Sequence, residues 1–175
     1  MIYFTSCAKF IFMIAGALKK NSLLLMAIMA GLIFLVSCRQ VDVFEKDTVI
    51  PGYSWKSDFK VSGSFIITDT LSAYSIYLVL RHTDAYKYNN IWLNIGLQPP
   101  GDSLITQKVN LQLGDDANGW EGTGMNDIWE LRKLLNGQPR RFKKPGNYNF
   151  SISQIMRDNP LENIMSVGMR IEKKQ

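Results

Sequence analysis

The chain has 175 residues, 46% of them hydrophobic, and its 20 Lys and Arg against 15 Asp and Glu give a net charge of +5. Two cysteines and one histidine are too few for the usual zinc clusters, and they do not suggest a Cys–His nucleophile pair. The densest basic run, RRFKK at 140–144, is short and is interpreted as a solvated loop rim, so the charge does not indicate nucleic-acid binding.

The first 37 residues are predicted to be a secretory signal. Their uninterrupted apolar runs, 10–18 and 22–37, fall short of the roughly 20 residues that cross a bilayer as a helix. Two lysines, Lys19 and Lys20, precede the second run, and small residues end it, which is the order of elements in a signal peptide. A start at Met13 is an alternative that gives a signal of ordinary proportions.

The stretch LVSC at 35–38 fits the cleavage site of a bacterial lipoprotein, where the cysteine thiol receives a diacylglycerol and the chain is cut before it. We therefore predict that Cys38 is lipidated and begins the mature chain. An ordinary signal or anchor that ends in cysteine is the alternative. Several acyl chains, at about 0.8 kcal/mol per buried CH₂, would hold such a protein firmly to a membrane.

Cleavage at this site would change the bulk properties of the chain. It would leave 138 residues (175 − 37), enough for one domain with a hydrophobic core. Three lysines and no acidic residue belong to residues 1–37, so 17 Lys and Arg would face 15 Asp and Glu, a net charge of about +2. Residues 38–51 are interpreted as a lipidated amino terminus and tether, and residues 52–175 as the folded domain.

The folded domain is predicted to consist mainly of strands. Apolar and polar residues alternate along most of it, as expected of strands with one buried face. The segment Tyr74–Arg81 is apolar on both faces, which is typical of a central strand. The six predicted strands cover residues 59–68, 74–81, 91–98, 105–113, 147–153 and 165–172.

Residues 126–137 (NDIWELRKLLNG) break the alternation. Their apolar positions recur at helical spacing, Asn126 or Asp127 can cap the start, and Gly137 follows the last turn. The predicted fold is therefore a single antiparallel β-sandwich with one short helix.

The residues that could carry chemistry are few. His82 is expected to be a strand-end side chain, and the adjacent Asp115 and Asp116 are expected to form a turn instead of a catalytic pair. The glycines at 122 and 124 lack the lysine of a phosphate-binding loop. We therefore predict that the protein is not an enzyme and that it needs neither cofactor nor metal.

Four tryptophans are a large number for one small domain. Trp92 is out of phase with its apolar neighbours, so it is expected to face a second core layer or a partner, either a glycan or a protein. Trp120 lies in a predicted turn and is expected to be freer of the core than Trp129. Together with Asp127, Trp120 and Trp92 are the candidate partner-binding residues.

Several segments of the chain, in order, form a recognisable pattern. They are Cys38 after the signal, DT at 69–70, Tyr74, Arg81, YKYNNIWL at 86–93, PPG at 99–101, WEGTG at 120–124 with Asp127, and PGNYNFSISQIMRDNPLENIMSVGMRIEK at 145–173. In these segments the chain resembles the gliding-motility lipoprotein GldH family of Bacteroidetes along nearly its whole mature length. It departs from the family at 140–148 (RRFKKPGNY), where Phe and Pro are expected closer together, and this affects a loop.

The resemblance implies a lipoprotein associated with the outer membrane and needed for gliding, a motility that is tied to the type IX secretion machinery. It implies no catalytic residues. Two functions follow as hypotheses: an accessory lipoprotein that binds other envelope proteins, or a surface lipoprotein that binds carbohydrate through exposed aromatic residues. Arg39 after the cysteine favours delivery to the outer membrane.

Overall fold

The computed structural model describes residues 43–135 and 137–174, which fold into antiparallel β-sheets. The longer strands are β1 (Val43–Val49), β3 (Val61–Ile67), β4 (Tyr74–Thr83), β5 (Asn90–Gln98), β6 (Ile105–Gln112), β10 (Ile128–Leu134), β11 (Gly146–Gln154) and β13 (Ile164–Lys173). The shorter ones are β2 (Ser54–Trp55), β7 (Gly114–Asp115), β8 (Gly119–Trp120), β9 (Thr123–Met125) and β12 (Leu161–Glu162), with a 3₁₀ turn at Pro51–Tyr53. Cys38 and the predicted signal lie outside the described residues.

Two sheets carry the longer strands. One has five strands in the order β1-β13-β4-β10-β9, and the other has four in the order β3-β11-β5-β6. β4 lies in the middle of the five-stranded sheet, as its apolar sequence predicted, and pairs with β13 and β10. All six predicted strands are present.

The apolar faces of the two sheets form one hydrophobic core. Leu78 and Leu80 of β4 are fully buried in it, as are Leu93 of β5 and Ile152 of β11. Aromatic side chains also join the sheets: the Phe44 ring of β1 lies 5.7 Å from the ring of Phe65 in β3. The alternation in the sequence thus predicted the buried faces of β3, β5, β6, β11 and β13.

The predicted helix at 126–137 is wrong, because residues 128–134 form β10. In β10, Trp129 and Leu131 lie opposite His82 and Leu80 of β4, whereas Glu130 lies opposite Arg81 on the outer face. An isolated helix of this length is marginal in water. Pairing with β4 and β9 on its two sides satisfies the backbone of β10, and local sequence spacing carries no information about that pairing.

Part of the segment that was interpreted as a tether is a strand of the folded domain. Val43–Val49, placed within it, forms β1 at the edge of the five-stranded sheet and pairs along its whole length with β13. Phe44 packs against the core, while Glu45 forms an ion pair with Arg170 on the outer face. The charged and polar side chains that suggested a tether belong to a strand with one solvated face. Among the described residues no helix is long and apolar enough to span a membrane.

Candidate functional site

The outer face of the five-stranded sheet carries an ordered row of side chains at one end. Strand pairing places Val49, Ser166, Arg81, Glu130 and Thr123 side by side across β1, β13, β4, β10 and β9. The Glu130 carboxylate accepts a hydrogen bond from the Arg81 guanidinium, with 2.6 Å between the nitrogen and the oxygen. The carboxylate is therefore held against β4, although an ion pair this exposed contributes little to stability.

Arg132 completes this ion-pair cluster. It approaches the second carboxylate oxygen of Glu130 at 3.0 Å. Burial raises the pKa of Glu130, but its contacts with Arg81 and Arg132 outweigh this and hold the pKa below its usual value. Glu130 therefore stays charged at neutral pH, and the cluster offers fixed charges of both signs to a partner.

A tight turn joins β9 to β10 and carries Asp127. The turn consists of Asn126, whose φ is +57°, and Asp127, between the paired residues Met125 and Ile128. Asp127 is exposed, and its backbone carbonyl accepts a hydrogen bond from the backbone amide of Asp84 at 2.8 Å. Of the two turn residues only Asn126 has positive φ, which Asn adopts more readily than most non-glycine residues.

The WEGTG motif at 120–124 builds this hairpin. A Cβ on Gly122, whose φ is +100°, would lie 2.2 Å from the carbonyl oxygen of Glu130. A Cβ on Gly124 would lie 2.8 Å from the Trp129 ring, which covers it. Glu121 forms an ion pair with Lys133. The glycines allow β9 to approach β10 closely, so the motif serves the fold of the hairpin.

Trp120 does not stand free of the core, contrary to expectation. It is half-buried and packs against the core, with its ring 4.6 Å from the ring of His82 and 6.2 Å from that of Tyr86. His82 is fully buried, and its Nδ1 contacts the Thr83 carbonyl at 2.8 Å. Burial lowers the pKa of His82, so its imidazole is neutral at pH 7.

A groove opens beside the β9–β10 hairpin. Its volume is about 830 Å³, and its lining includes Met125, Ile128, Glu130 and Met165. Met125 is 73% exposed. We call the outer side chains of β9 and β10, with Arg81 and Met165, the hairpin surface. It combines flexible apolar side chains with the fixed ion pairs, a composition suited to protein contacts.

The two adjacent aspartates form a turn, as predicted. The Asp115 carboxylate accepts from the backbone amides of Ala117 at 2.9 Å and Asn118 at 2.6 Å, between β7 and β8. Hydrogen bonds from the side chain and backbone of Asn118 lower the pKa of Asp115. Asp116 accepts from the side-chain amide of Asn89. The described residues contain no cluster of His, Cys, Asp and Glu suited to hold a metal ion.

Trp92 lies on the outer face of the other sheet, as its phase in the sequence predicted. It is 43% exposed and borders a groove of about 560 Å³. Tyr88, Asn90, Lys108 and the loop residues 155–157 line the same groove. We call this the Trp92 groove.

The candidate residues are therefore not one site. Trp120 precedes the β9–β10 hairpin in the chain and Asp127 lies at the tip of the hairpin, whereas Trp92 belongs to β5 of the other sheet. Sequence reasoning missed Met125 and Arg81 as surface residues near the hairpin, because the helical interpretation hid the pairing. The alternation of Trp129 and Leu131 with Glu130 and Arg132 was the available signal.

The fold and its two grooves define an antiparallel β-sheet protein with separate surfaces suited to binding. A family model described as GldH lipoprotein matches residues 42–171. The chain belongs to this family, as the sequence resemblance predicted.

Two named relatives support the assignment. The chain is 29% identical over 164 residues to the gliding motility lipoprotein GldH of Flavobacterium johnsoniae, a match that covers 90% of this chain and 98% of the relative. It is 28% identical over 149 residues to a GldH homolog of Christiangramia forsetii, which covers 81% and 90% respectively.

Solved structures show weaker similarity. A structure of tomato aspermy virus matches with a TM-score of 0.35 and 14% identity over 79% of this chain and 80% of that chain. The VP2 subviral particle of infectious bursal disease virus matches with a TM-score of 0.35 and 15% identity, over 78% and 34%.

Proposed function

We propose that this protein is a non-catalytic accessory lipoprotein of the outer membrane, which supports gliding motility and the linked type IX secretion machinery by binding other envelope proteins. The observation that carries the proposal is family membership over residues 42–171, together with relatives named gliding motility lipoproteins. Lipidation of Cys38 after removal of residues 1–37 is part of the same proposal.

We infer further that the two sheets form a β-sandwich, which serves as a rigid frame for binding surfaces. Core residues from both sheets belong to one buried cluster, which supports this description. The packed strands of such a sandwich hold the loops and hairpins at its ends in fixed positions.

The hairpin surface is the proposed docking site for the envelope partner. Met125 is exposed at the end of β9, the edge strand of its sheet, and Ile128 lies opposite it in β10. Burying these side chains would supply apolar area, while the paired charges of Glu130 would restrict the orientation of the partner. Asp127, exposed at the hairpin tip, borders the same surface.

A deletion strain complemented with variants tests the proposal. Deletion is expected to reduce spreading on surfaces and to change the profile of secreted proteins. Wild-type protein should restore both, whereas Met125→Glu should restore them poorly, because it places a charge where apolar contact is expected. It should also recover less envelope partner on co-purification.

Leu71→Glu is the matched control. Leu71 is 81% exposed and follows β3, outside the hairpin, so this variant carries the same change of charge at another site. It should complement like the wild type. If deletion leaves spreading and secretion intact, the proposed function is wrong; if Met125→Glu complements fully, only the docking site is wrong.

A further inference from the structure

The outer face of the four-stranded sheet has an unusual composition. Strand register places mainly amide and hydroxyl side chains on it, from all four strands: Ser62, Ser64, Asn90, Asn94, Gln98, Thr106, Asn110, Gln112, Asn147, Asn149, Ser151 and Ser153. No Asp or Glu shares this face, and Lys108 is its one charged residue among the paired positions. We call it the amide face. The other sheet, by contrast, carries ion pairs such as Arg81–Glu130 on its outer face.

Strand formation does not explain this composition. Asn is disfavoured in strands, where Thr or β-branched residues would form the same sheet better. Several of the amides also have no structural partner: the side chains of Asn94, Asn147 and Asn149 make no hydrogen bond within the part of the chain that the structure describes. Each amide therefore offers both donors and an acceptor to a ligand.

The Trp92 groove continues the amide face at one end and is held in place by its surroundings. The backbone N–H of Trp92 donates a hydrogen bond to the Met156 sulfur at 3.2 Å, and its backbone carbonyl accepts one from the backbone N–H of Ile155 at 3.0 Å. Tyr88 donates its hydroxyl to Asp158 at 2.7 Å and packs edge-on against the buried Tyr86. The backbone of Trp92 and the ring of Tyr88 are therefore held in place before a ligand arrives, which reduces the entropy lost on binding.

Charge and chemistry restrict the ligand. Lys108 and Arg157 line the groove, and both are exposed. A protein partner fits this face poorly, because protein interfaces are depleted in Ser and depend on buried apolar contacts. A sugar chain fits it well: the C–H face of a ring packs on an indole by dispersion, and its hydroxyls pair with amides in both donor and acceptor roles.

We infer that the amide face and the Trp92 groove bind a polysaccharide that contains uronic acid residues. Trp92 stacks on a sugar ring, Asn94 and Asn110 bond to its hydroxyls, and Lys108 and Arg157 pair with its carboxylate. This inference goes beyond the proposed function, since it assigns a second ligand to the sheet that does not carry the hairpin surface.

Affinity electrophoresis of the detergent-solubilised full-length protein tests the inference. Gels would contain polygalacturonate or alginate as acidic probes, and xylan or dextran as neutral ones. We expect the acidic polymers to retard the wild type more strongly than the neutral ones. Trp92→Ala should weaken retardation at least tenfold, and Lys108→Ala should weaken it several-fold and reduce its sensitivity to salt, because a charge contact is lost.

Two variants serve as controls. Leu71→Ala changes a residue that is 81% exposed and lies outside the strands of the face. Lys143→Ala removes an exposed charge in the loop before β11. Both should bind like the wild type, and the Lys143 control excludes non-specific attraction of a basic protein. Asn94→Ala is a second binding variant should Trp92→Ala fail to fold.

Three outcomes would overturn the inference: no retardation by any of the polymers, equal retardation by acidic and neutral polymers, or Trp92→Ala behaving like the wild type. Loss of envelope-protein co-purification by Trp92→Ala, without polysaccharide binding by the wild type, would show that a protein occupies this face. Failure of the hairpin variant Met125→Glu to affect spreading would concern only the docking site, so the two proposals fail separately.

Discussion

Residues of the same type have different roles in this protein, and the tryptophans show it most clearly. Trp120 contacts the core through His82 and Tyr86, while Trp92 lies on an outer sheet face. In the sequence Trp92 lies between Ile91 and Leu93, whereas Trp120 lies between Gly119 and Glu121. Strand phase identified Trp92 as outward-facing, whereas Trp120 lies in a two-residue strand too short to show a phase.

Trp120→Ala should destabilise the protein by about 2 kcal/mol, somewhat less than a fully buried tryptophan, because its ring is half-buried against the core. Trp92→Ala, which removes an exposed ring, should change the free energy of unfolding by about 0.5 kcal/mol or less. Denaturant unfolding of both variants measures the difference. Equal and small effects would show that Trp120 is as free of the core as a turn residue.

His82 should make the stability depend on pH. Burial lowers its pKa in the folded state, so below about 6.5 the unfolded chain takes up a proton that the folded protein does not. Stability is therefore complete above that pH and falls as the pH drops below it, by at most about 1.4 kcal/mol per pH unit.

Because His82 is the only histidine, one substitution isolates its effect. The melting temperature of the wild type should fall between pH 7 and pH 5.5, and His82→Gln should flatten this dependence, whatever its own stability. A wild-type melting temperature that is constant over this range would contradict a buried neutral imidazole.

Individual elements were predicted with uneven success, and the reason lies in the range of the interactions that form them. The six strands with clear alternation were confirmed because their periodicity reports one buried face. β10 was mistaken for a helix because its apolar spacing fits both periods, and only its pairing with β4 and β9 decides between them. β1 was mistaken for a tether because its outer residues are charged.

The β9–β10 hairpin depends on a close backbone approach at Gly122. Gly122→Ala should destabilise the protein by about 2 kcal/mol or more and should release β9, because the added methyl group meets the Glu130 carbonyl and φ is positive. Gly101→Ala is the control, since Gly101 has φ of +70° but no atom within 4 Å of the added Cβ.

Hydrogen exchange on both variants would locate the effect. Amides of β9 and of the β10 residues paired with it should exchange faster in Gly122→Ala, while the control should lose only about 1 kcal/mol of stability, without a local change there. Similar exchange in the hairpin of both variants would show that the close approach does not matter.

At the scale of the whole molecule, lipidation of Cys38 would limit how far the domain can lie from a membrane. If Cys38 carries lipid, five residue steps separate it from Val43, a reach of at most about 18 Å. β1 then runs about 20 Å from Val43 to Val49. With β1 upright on the membrane, the hairpin surface, in register with Val49, would lie at the end away from it.

The opposite end of the domain carries the basic run at 140–144. Arg140 forms a β-bridge with Tyr74, and Tyr74 lies opposite Lys173 of β13. Lys173 follows Glu172, which pairs with Val43 at the start of β1. The run would therefore lie on the membrane side, where each Lys or Arg near an anionic surface contributes about 1 kcal/mol. In this arrangement the basic run would face the bilayer, and the partner-binding surfaces would face away from it.

That arrangement depends on Cys38, and metabolic labelling with palmitate tests it directly. The wild type should incorporate label, lose residues 1–37 and fractionate with membranes, because several acyl chains together make the attachment effectively permanent. Cys38→Ser should remain an unlabelled precursor. Cys7→Ser, which changes the other cysteine of the chain, should be processed and labelled like the wild type. Recovery of mature protein with an unmodified Cys38 from the soluble fraction would refute the anchor, and with it the orientation derived from the short reach to β1.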